Sequence, residues 1–212
     1  MAGRGEAGPR LGVLGGTFNP LHLAHLVCAQ EAYLQLALDR VLLVPTRIPP
    51  HKRVEVEPGA EHRLEMCRRA VADDPRIEVC DLEVRREGTS FTVDTLQELT
   101  AQTPNAEFFL ILGGDVAAGL PSWREPERVL SLATVAVAER KGTRHAEIEA
   151  ALCALPGGER TRYFDMPTIA LSSTDVRERV IRGKPIKYIV PDVIDRYIHQ
   201  EGLYTRDDTS EP

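Results

Sequence analysis

The chain has 212 residues, of which 26 are Lys or Arg and 32 are Asp or Glu, giving a formal net charge of −6 at pH 7. This length can bury a sizeable core, and the acidic balance argues against a dedicated nucleic-acid binder. The sequence has no apolar run of about 18 residues, the length needed to cross a bilayer, so we expect no membrane partner.

The cysteine spacing and the composition of the first ten residues indicate the cellular compartment. Cys28, Cys67, Cys80 and Cys153 form no C-x-x-C pair, which favours reduced thiols in a cytoplasmic protein over a zinc site or a disulfide framework. The first ten residues lack the apolar core of a secretory signal. We expect residues 1–10 to be a disordered leader, residues 11–204 to form one domain, and residues 205–212 to be a frayed tail.

The stretch LGVLGGTFNPLHLAH, at residues 11–25, is the feature around which the other predicted elements are arranged. Its first part is a short apolar run ended by Gly15 and Gly16, which is typical of a buried strand in a parallel sheet. Glycine has no Cβ and tolerates positive φ, so this pair allows a tight turn and the close approach of a ligand.

A helix is predicted to follow, beginning near residue 20 or 21 because Pro20 is tolerated in a first helical turn. His22 and His25 then share one face of that turn. A helix N-terminus beside two imidazoles favours an anion site suited to phosphate, although glycine pairs also join strands to helices for steric reasons alone. The residues expected to face the sheet are Leu23, Leu26, Val27 and Leu34.

Further apolar runs predict strands at residues 40–45, 76–80, 107–115 and 133–138, with two short strands at 161–164 and 168–171. Helices are predicted at residues 61–72, from an N-cap at Ser90 or Thr92, in the first part of 143–162, at 172–180 and after Pro191. The alternation predicts an α/β fold, a single Rossmann-like, open and mostly parallel sheet with helices on both faces.

Polar residues follow several of these strands, where an open parallel sheet places its ligand crevice. Asp115 is compatible with a helix cap, a ribose acceptor or a metal-linked group. Lys52, in a loop stiffened by two prolines, would more often be a solvated charge. Trp123 could simply cover the core. Ser172 and the residues after it begin a second helix whose N-terminus can hold phosphate.

The motifs resemble those of the nucleotidylyltransferase superfamily, and most closely its nicotinate-mononucleotide adenylyltransferase family. Residues 15–25 match the signature G-G-[ST]-F-[DN]-P-x-H-x-G-H, except that Ala24 stands in place of Gly, and Asn19 stands where bacterial relatives more often have Asp. Further matching segments follow in the family's order: residues 45–52, 62–66, 90–96, 112–115, 123, 140, 171–177 and 188–204.

The resemblance implies an ATP site and an acceptor site. His22, His25, Lys52 and Arg177 are implied to be catalytic, with His25 nearest the α-phosphate. The implied ATP contacts are these four residues with Gly15, Gly16, Thr17, Phe18, Ser172, Ser173 and Thr174. The implied acceptor contacts are Thr46, His51, Thr92, Gly113, Asp115, Trp123 and Arg140.

The implied reaction joins nicotinate mononucleotide to the adenylyl group of ATP, giving nicotinate adenine dinucleotide and pyrophosphate, a step of NAD biosynthesis. No protein nucleophile is needed because the acceptor phosphate is already an anion. Mg²⁺ would be bound mainly through the ATP phosphates, with no dedicated metal site in the protein. Arg140 predicts a preference for nicotinate over nicotinamide, since Arg pairs with a carboxylate through two hydrogen bonds.

Several alternatives stay open on the sequence. A phosphopantetheine adenylyltransferase or a cytidylyltransferase shares the first motif, although the region of Trp123 and Arg140 argues against both. Nicotinamide mononucleotide is a second candidate acceptor. A non-catalytic nucleotide sensor is the alternative from another class, and Ala24 is the residue that favours it. Formation of a homo-oligomer is also left open.

Overall fold

The computed structural model describes residues 8–49, 56–139 and 145–205. The predicted leader up to residue 7 and the predicted tail from residue 206 lie outside these ranges. Three candidate site residues, His51, Lys52 and Arg140, also lie outside them.

The described residues form a six-stranded parallel sheet in the order β3-β2-β1-β4-β5-β6. This order confirms the predicted α/β class with an open parallel sheet and flanking helices. The order reverses direction at β1, whose carboxyl end leads into residues 15–25. The strands are β1 (Arg10–Gly16), β2 (Arg40–Pro45), β3 (Ile77–Val79), β4 (Glu107–Gly113), β5 (Thr134–Glu139) and β6 (Arg162–Asp165).

The strands form where the apolar runs predict them. β4 has five consecutive buried residues, 108–112, and β2 has five, 41–45. Continuous burial of this kind is expected for a parallel strand that is covered on both faces. The predicted strand at residues 168–171 is wrong, because this segment has neither strand nor helix structure.

The helices alternate with the strands along the chain. They are α1 (Leu23–Gln35), α2 (Ala60–Val71), α3 (Leu82–Arg85), α4 (Thr92–Gln102), α5 (Gly114–Ala118), α6 (Pro126–Leu132), α7 (His145–Cys153), α8 (Ser173–Ile181) and α9 (Asp192–Gln200), with short 3-10 turns at Leu120–Ser122 and Gly158–Arg160. In the described residues no helix is long and apolar enough to cross a membrane.

The predicted start of α1 is wrong by two to three residues. A helix from residue 20 would use the carbonyls of Asn19 and Pro20 for its first internal hydrogen bonds. These carbonyls instead accept hydrogen bonds from Arg177 and Ser173, at 2.7 and 2.9 Å. The Leu23 N–H donates to the carbonyl of Ile189 at 3.1 Å. Tertiary hydrogen bonds therefore delay the helix until residue 23.

Two further local predictions are wrong. Leu34, expected to face the sheet, is 56% exposed, whereas Ala29 and Ala32 of the same helix are fully buried. Small side chains permit close approach of a helix to its neighbours, so the alanines occupy the packed face. The N-cap of α4 is Phe91, with no side-chain cap, instead of Ser90 or Thr92. The Ser90 hydroxyl accepts a hydrogen bond from the Arg47 N–H and is therefore engaged elsewhere.

The chain divides into two compact units. The first comprises Met1–Leu14, Cys28–Leu42 and Phe91–Thr168, and holds the β4–β5 and β5–β6 pairs. The second comprises Gly15–Val27, Leu43–Ser90 and Ile169–Pro212, and holds α2, β3, α8 and α9. The candidate ATP residues that the structure describes all belong to the second unit.

Candidate functional site

Residues 17–25, from the end of β1 to the first turn of α1, carry the two histidines and form the histidine turn. This turn is built differently from the predicted glycine turn. Gly15 and Gly16 are the last residues of the strand, and the positive φ falls at Phe18, where it is 49°. A Cβ at Gly16 would lie 3.0 Å from the Phe18 ring, whereas a Cβ at Gly15 would meet no atom within 4 Å. Gly16 is therefore required by the packing of Phe18, and Gly15 leaves open space above the backbone.

The two histidines of the motif form a stacked pair. Their ring centroids are 3.7 Å apart, and the ring of Phe18 meets His25 edge-on at 5.1 Å. His22 is 4% exposed and immediately precedes α1, in place of the predicted position inside its first turn. The pair still lies on one side of the helix start, as the spacing of three residues predicts.

Burial keeps both imidazoles neutral near pH 7. It lowers the pKa of His22 to about 4, against a smaller opposing effect of the nearby Asp175 carboxylate. Burial, with a smaller contribution from the neighbouring His22, also lowers the pKa of His25 to about 3. Neutral imidazoles act on an anion as hydrogen-bond donors instead of cations.

The geometry assigns the tautomer of His25. Its Nδ1 accepts a hydrogen bond from the backbone N–H of His22 at 3.2 Å. In a neutral ring the proton must then be on Nε2, which becomes the donor available to a ligand. His22 Nδ1 is buried and has no hydrogen-bond partner among the described residues.

The second helix N-terminus is closed by a capping box. The Ser172 hydroxyl accepts a hydrogen bond from the Asp175 N–H at 3.1 Å, and Asp175 Oδ2 accepts one from the Ser172 N–H at 2.9 Å. The Ser172 hydroxyl also donates to Asp175 Oδ2 at 2.6 Å, and this bond, together with that from the Ser172 N–H, lowers the pKa of Asp175. Several residues at positions 172–174 are N-cap candidates from the sequence; the cap is Ser172, and the helix begins at Ser173.

The start of α8 is attached directly to the turn that carries the histidines. The Ser173 hydroxyl donates to the Pro20 carbonyl, and Arg177 Nη1 donates to the Asn19 carbonyl. Arg177 Nη2 also lies 3.3 Å from the Thr174 hydroxyl. Two helix N-termini and one guanidinium therefore meet at residues 19–25, which is the arrangement needed to bind a polyphosphate.

Asn19 is a buried residue of this turn and links the turn to distant parts of the second unit. The Tyr204 hydroxyl donates to Asn19 Oδ1 at 2.6 Å, and Asn19 Nδ2 donates to the Val56 carbonyl at 2.8 Å. An amide supplies both the acceptor and the donor, whereas a carboxylate could not donate to Val56. Asn in place of the more common Asp is therefore matched by its surroundings.

Sequence reasoning missed the role of Arg63. Its side chain is 1% exposed and donates to the carbonyls of Thr17, Thr46 and Arg47 at 2.7, 2.6 and 3.0 Å. A signal for this role exists in the sequence, because Arg63 lies four residues before Cys67 on the buried side of α2. A cation on the apolar stripe of a helix requires buried partners.

A cavity of about 480 Å³ adjoins the histidine turn within the second unit. Its lining includes the apolar side chains of Leu23, Leu171 and Ile189 and the charged side chains of Asp175 and Arg179. This volume is in the range of small-molecule sites, which are about 300–1,000 Å³. Ala24, which replaces the motif Gly, is only 5% exposed, so its methyl group is covered by protein atoms.

The first unit holds the described acceptor candidates except Thr46. Gly113 ends β4, Asp115 lies exposed in the first turn of α5, and Trp123 is half-buried after a 3-10 turn. Thr92 is the first residue of α4. Asp115 does not cap α5, whose N-cap is Gly113, so the helix-cap alternative for this carboxylate is wrong.

Thr46 lies in the second unit with the ATP candidates. Its N–H donates to the Gly16 carbonyl at 2.9 Å, next to the histidine turn. In the described residues no group of three or more His, Cys, Asp or Glu side chains is placed to hold a metal ion.

Comparison with known proteins gives close matches in sequence. The cytidylyltransferase-like family matches residues 13–179. A relative from Desulfitobacterium hafniense (strain Y51), named as a probable nicotinate-nucleotide adenylyltransferase, is 44% identical over 202 residues, covering 92% of this chain and 95% of the relative. A relative of the same name from Roseiflexus sp. (strain RS-1) is 43% identical over 196 residues, with 92% and 97% covered.

The fold is also found in solved structures. Nicotinic acid mononucleotide adenylyltransferase from Plasmodium falciparum, complexed with NaAD, has a TM-score of 0.72 at 22% identity, covering 92% of this chain and 97% of that one. At this identity the likeness concerns the fold. The family match over residues 13–179 and the curated relatives show that this chain belongs to the cytidylyltransferase-like family, which confirms the resemblance of its motifs.

Proposed function

We propose that this chain transfers the adenylyl group of ATP to nicotinate mononucleotide, forming nicotinate adenine dinucleotide and pyrophosphate. The observation that carries the proposal is the meeting of the α1 and α8 N-termini, the histidine pair and Arg177 at one turn. The names of the relatives that are 37–44% identical supply the acceptor and the reaction.

Catalysis in this proposal depends on positioning and charge, because the acceptor phosphate is already an anion. His25 donates from Nε2–H to the α-phosphate as negative charge develops on its oxygens. Its low pKa keeps it a donor without a net charge, so Arg177 must supply positive charge to the β- and γ-phosphates. Lys52, outside the described residues, is proposed as the second cation.

Mg²⁺ is proposed to enter with ATP. It prefers oxygen ligands, which the triphosphate supplies, and it binds imidazole nitrogen less readily. The two histidines are therefore expected to contact phosphate oxygens directly. When bound, the ion supplies charge neutralisation for the departing pyrophosphate.

The remaining parts of both substrates are assigned by the chemistry of the candidate residues. The cavity beside Leu23 and Leu171 offers space for the adenine ring, next to the histidine turn. Trp123 is proposed to stack on the pyridine ring of the acceptor. Asp115 is proposed to accept a hydrogen bond from the acceptor, and the Thr92 hydroxyl to form a hydrogen bond with it. Arg140 is proposed to pair with the nicotinate carboxylate, together with Gly113, Thr46 and His51 as further contacts.

The decisive experiment measures pyrophosphate release from ATP and Mg²⁺ with three acceptors in parallel. These are nicotinate mononucleotide, nicotinamide mononucleotide and phosphopantetheine. We expect release with the first, a lower kcat/KM with the second, and none above background with the third.

Each alternative has its own outcome in this assay. Equal or greater activity with nicotinamide mononucleotide would contradict the role of Arg140. ATP binding without pyrophosphate release from any acceptor would contradict the proposal and favour a nucleotide sensor.

A further inference from the structure

We propose that Arg63 is a positioning residue for the reaction, because it fixes the distance between the histidine turn and the loop after β2. This inference rests on the proposed function. It concerns a side chain that contacts no substrate in the proposal and is placed on α2, away from the candidate phosphate contacts.

The guanidinium joins two loops that are separated along the chain by α1 and β2, and it adds to the backbone hydrogen bond from the Thr46 N–H to the Gly16 carbonyl. Nη1 donates both to the Thr17 carbonyl, two residues after Gly15, and to the Thr46 carbonyl, directly after β2. Nη2 adds the Arg47 carbonyl. One planar group therefore holds carbonyls from both loops at fixed separations.

Arg63 also binds the chain directly after residues 50–55, the segment that follows the loop after β2. Its Nε donates to the Glu57 carboxylate at 2.7 Å. Asn19, in the histidine turn, donates to the neighbouring Val56 carbonyl. The chain on both sides of residues 50–55, which include Lys52, is thus attached to the histidine turn.

The loop after β2 has a second, independent anchor. The Ser90 hydroxyl accepts a hydrogen bond from the Arg47 N–H at 3.3 Å, and the Ser90 N–H donates to the Ile48 carbonyl at 3.0 Å. The Arg47 side chain reaches the Val84 carbonyl at 2.9 Å. Residues 46–48 are therefore held in place by hydrogen bonds with Arg63, Ser90 and Val84.

Four donor groups in one plane are the reason that Arg is needed. A Lys at this position would keep the positive charge beside Glu57, but its compact ammonium cannot span the carbonyls that the guanidinium fork reaches. In-line transfer between two anions is sensitive to displacement, and a shift of about 1 Å in a positioning group costs about 100-fold in rate. Loosening the two loops should therefore lower kcat by a larger factor than it weakens substrate binding.

The test compares Arg63→Lys with two matched controls. Glu57→Gln removes the negative charge but keeps a side-chain oxygen that can accept from Arg63 Nε, and it leaves the three carbonyl contacts of Arg63. Arg69→Met removes an arginine from the same helix that instead pairs with Glu65 and lies 4.3 Å over the Tyr197 ring. Each protein is assayed for kcat and KM with both substrates, for melting temperature, and for the stoichiometry and Kd of α,β-methylene-ATP.

We expect Arg63→Lys to lower kcat by about 100-fold while it binds the analogue at full stoichiometry with a Kd within about threefold of wild type. Both controls should keep kcat within about threefold. An unchanged kcat in Arg63→Lys would overturn the inference. A loss of kcat that equals the loss of binding-competent protein would also overturn it, because that pattern indicates unfolding alone.

A milder variant covers the case in which Arg63→Lys does not fold. Ser90→Ala removes the hydroxyl that accepts from the Arg47 N–H, which is the second anchor of the loop after β2, and should lower kcat by about fivefold with an unchanged analogue Kd. An unchanged kcat in Ser90→Ala would then count against loop positioning. Failure of the proposed function is distinguishable, because wild-type protein would then release no pyrophosphate with any acceptor.

Discussion

At the scale of single residues, the histidine pair shows how burial defines a chemical role. An exposed histidine has a pKa near 6.5 and would be a mixture of charged and neutral forms at pH 7. Burial removes the charged form of His22 and His25, and the His22 N–H then selects the tautomer of His25. The sequence places two imidazoles together, but only their environment makes His25 a directed Nε2–H donor.

Two substitutions of His25 should distinguish the contribution of its Nε2–H donor from that of the imidazole ring. We expect His25→Ala to reduce kcat by about 100- to 1,000-fold, the usual cost of losing one donor to a developing negative charge. His25→Gln should retain part of the activity, because its amide N–H can reach towards the Nε2 position. Steady-state pyrophosphate release measures both, with the exposed Gln30→Ala on the same helix as control. Near-normal turnover of folded His25→Ala would contradict the assigned role.

Arg63 shows the limit of residue-type reasoning. A charged residue in an amphipathic helix is usually solvated, and the helix predicted at residues 61–72 contains none of the candidate site residues. Three of the four hydrogen bonds of the buried guanidinium go to carbonyls from segments 16 to 46 residues away in the chain, and the fourth goes to the Glu57 carboxylate. Contacts over such separations are decided by the tertiary fold.

At the scale of elements, the two helix starts near the histidine turn follow different rules. The start of α8 obeys local capping chemistry, since Ser172 and Asp175 supply both bonds of the capping box. The start of α1 does not, because the carbonyls that would begin it earlier are bonded to Ser173 and Arg177. Local signals therefore located α8 correctly and placed α1 too early.

Removing the α8 cap should destabilise the protein measurably. We expect Ser172→Ala to lower the free energy of unfolding by about 1 kcal/mol, the typical cost of an N-cap serine. Urea denaturation followed by circular dichroism measures the change. Glu178→Ala, which breaks the exposed pair with Arg182 on the same helix, should change it by less than about 0.5 kcal/mol. Equal effects in the two variants would argue that the capping box does not stabilise the helix.

At the scale of the whole molecule, the buried histidines link folding to pH. Their pKa values are lower in the folded chain than the value of about 6.5 expected after unfolding. Between about pH 6.5 and 3 the unfolded chain therefore binds more protons, and stability falls as the pH is lowered through this window. Above pH 6.5 both states hold neutral rings, and this contribution is fully present.

The pH effect can be isolated by substitution. The free energy of unfolding of wild type minus that of His22→Asn should decrease as the pH falls from 7 to 4, by up to about 3 kcal/mol. Denaturant unfolding at half-unit pH intervals gives both curves, and the difference removes contributions from carboxylates common to the two proteins. Parallel curves across this window would contradict a depressed pKa for His22.

The sequence alone determined the class of the fold and the order of most of its elements, but not the short helices α3, α5 and α6. Continuous apolar runs and helical spacing are local properties of the chain, so β1, β2, β4 and β5 and most helices were predicted near their observed bounds. The motif residues identified the family for the same reason, since their spacing is read directly from the chain. The roles assigned by resemblance to Lys52, Trp123 and Arg140 stay predictions.

The tertiary structure decided which groups surround the motif and in what state. Burial sets the neutral form of the histidines, and long-range hydrogen bonds set the start of α1, the partners of Asn19 and the function of Arg63. These properties depend on which distant segments exclude water from a group or satisfy its donors. Spacing along the chain carries no such information, because the energy of a buried polar group is fixed by its partners in space.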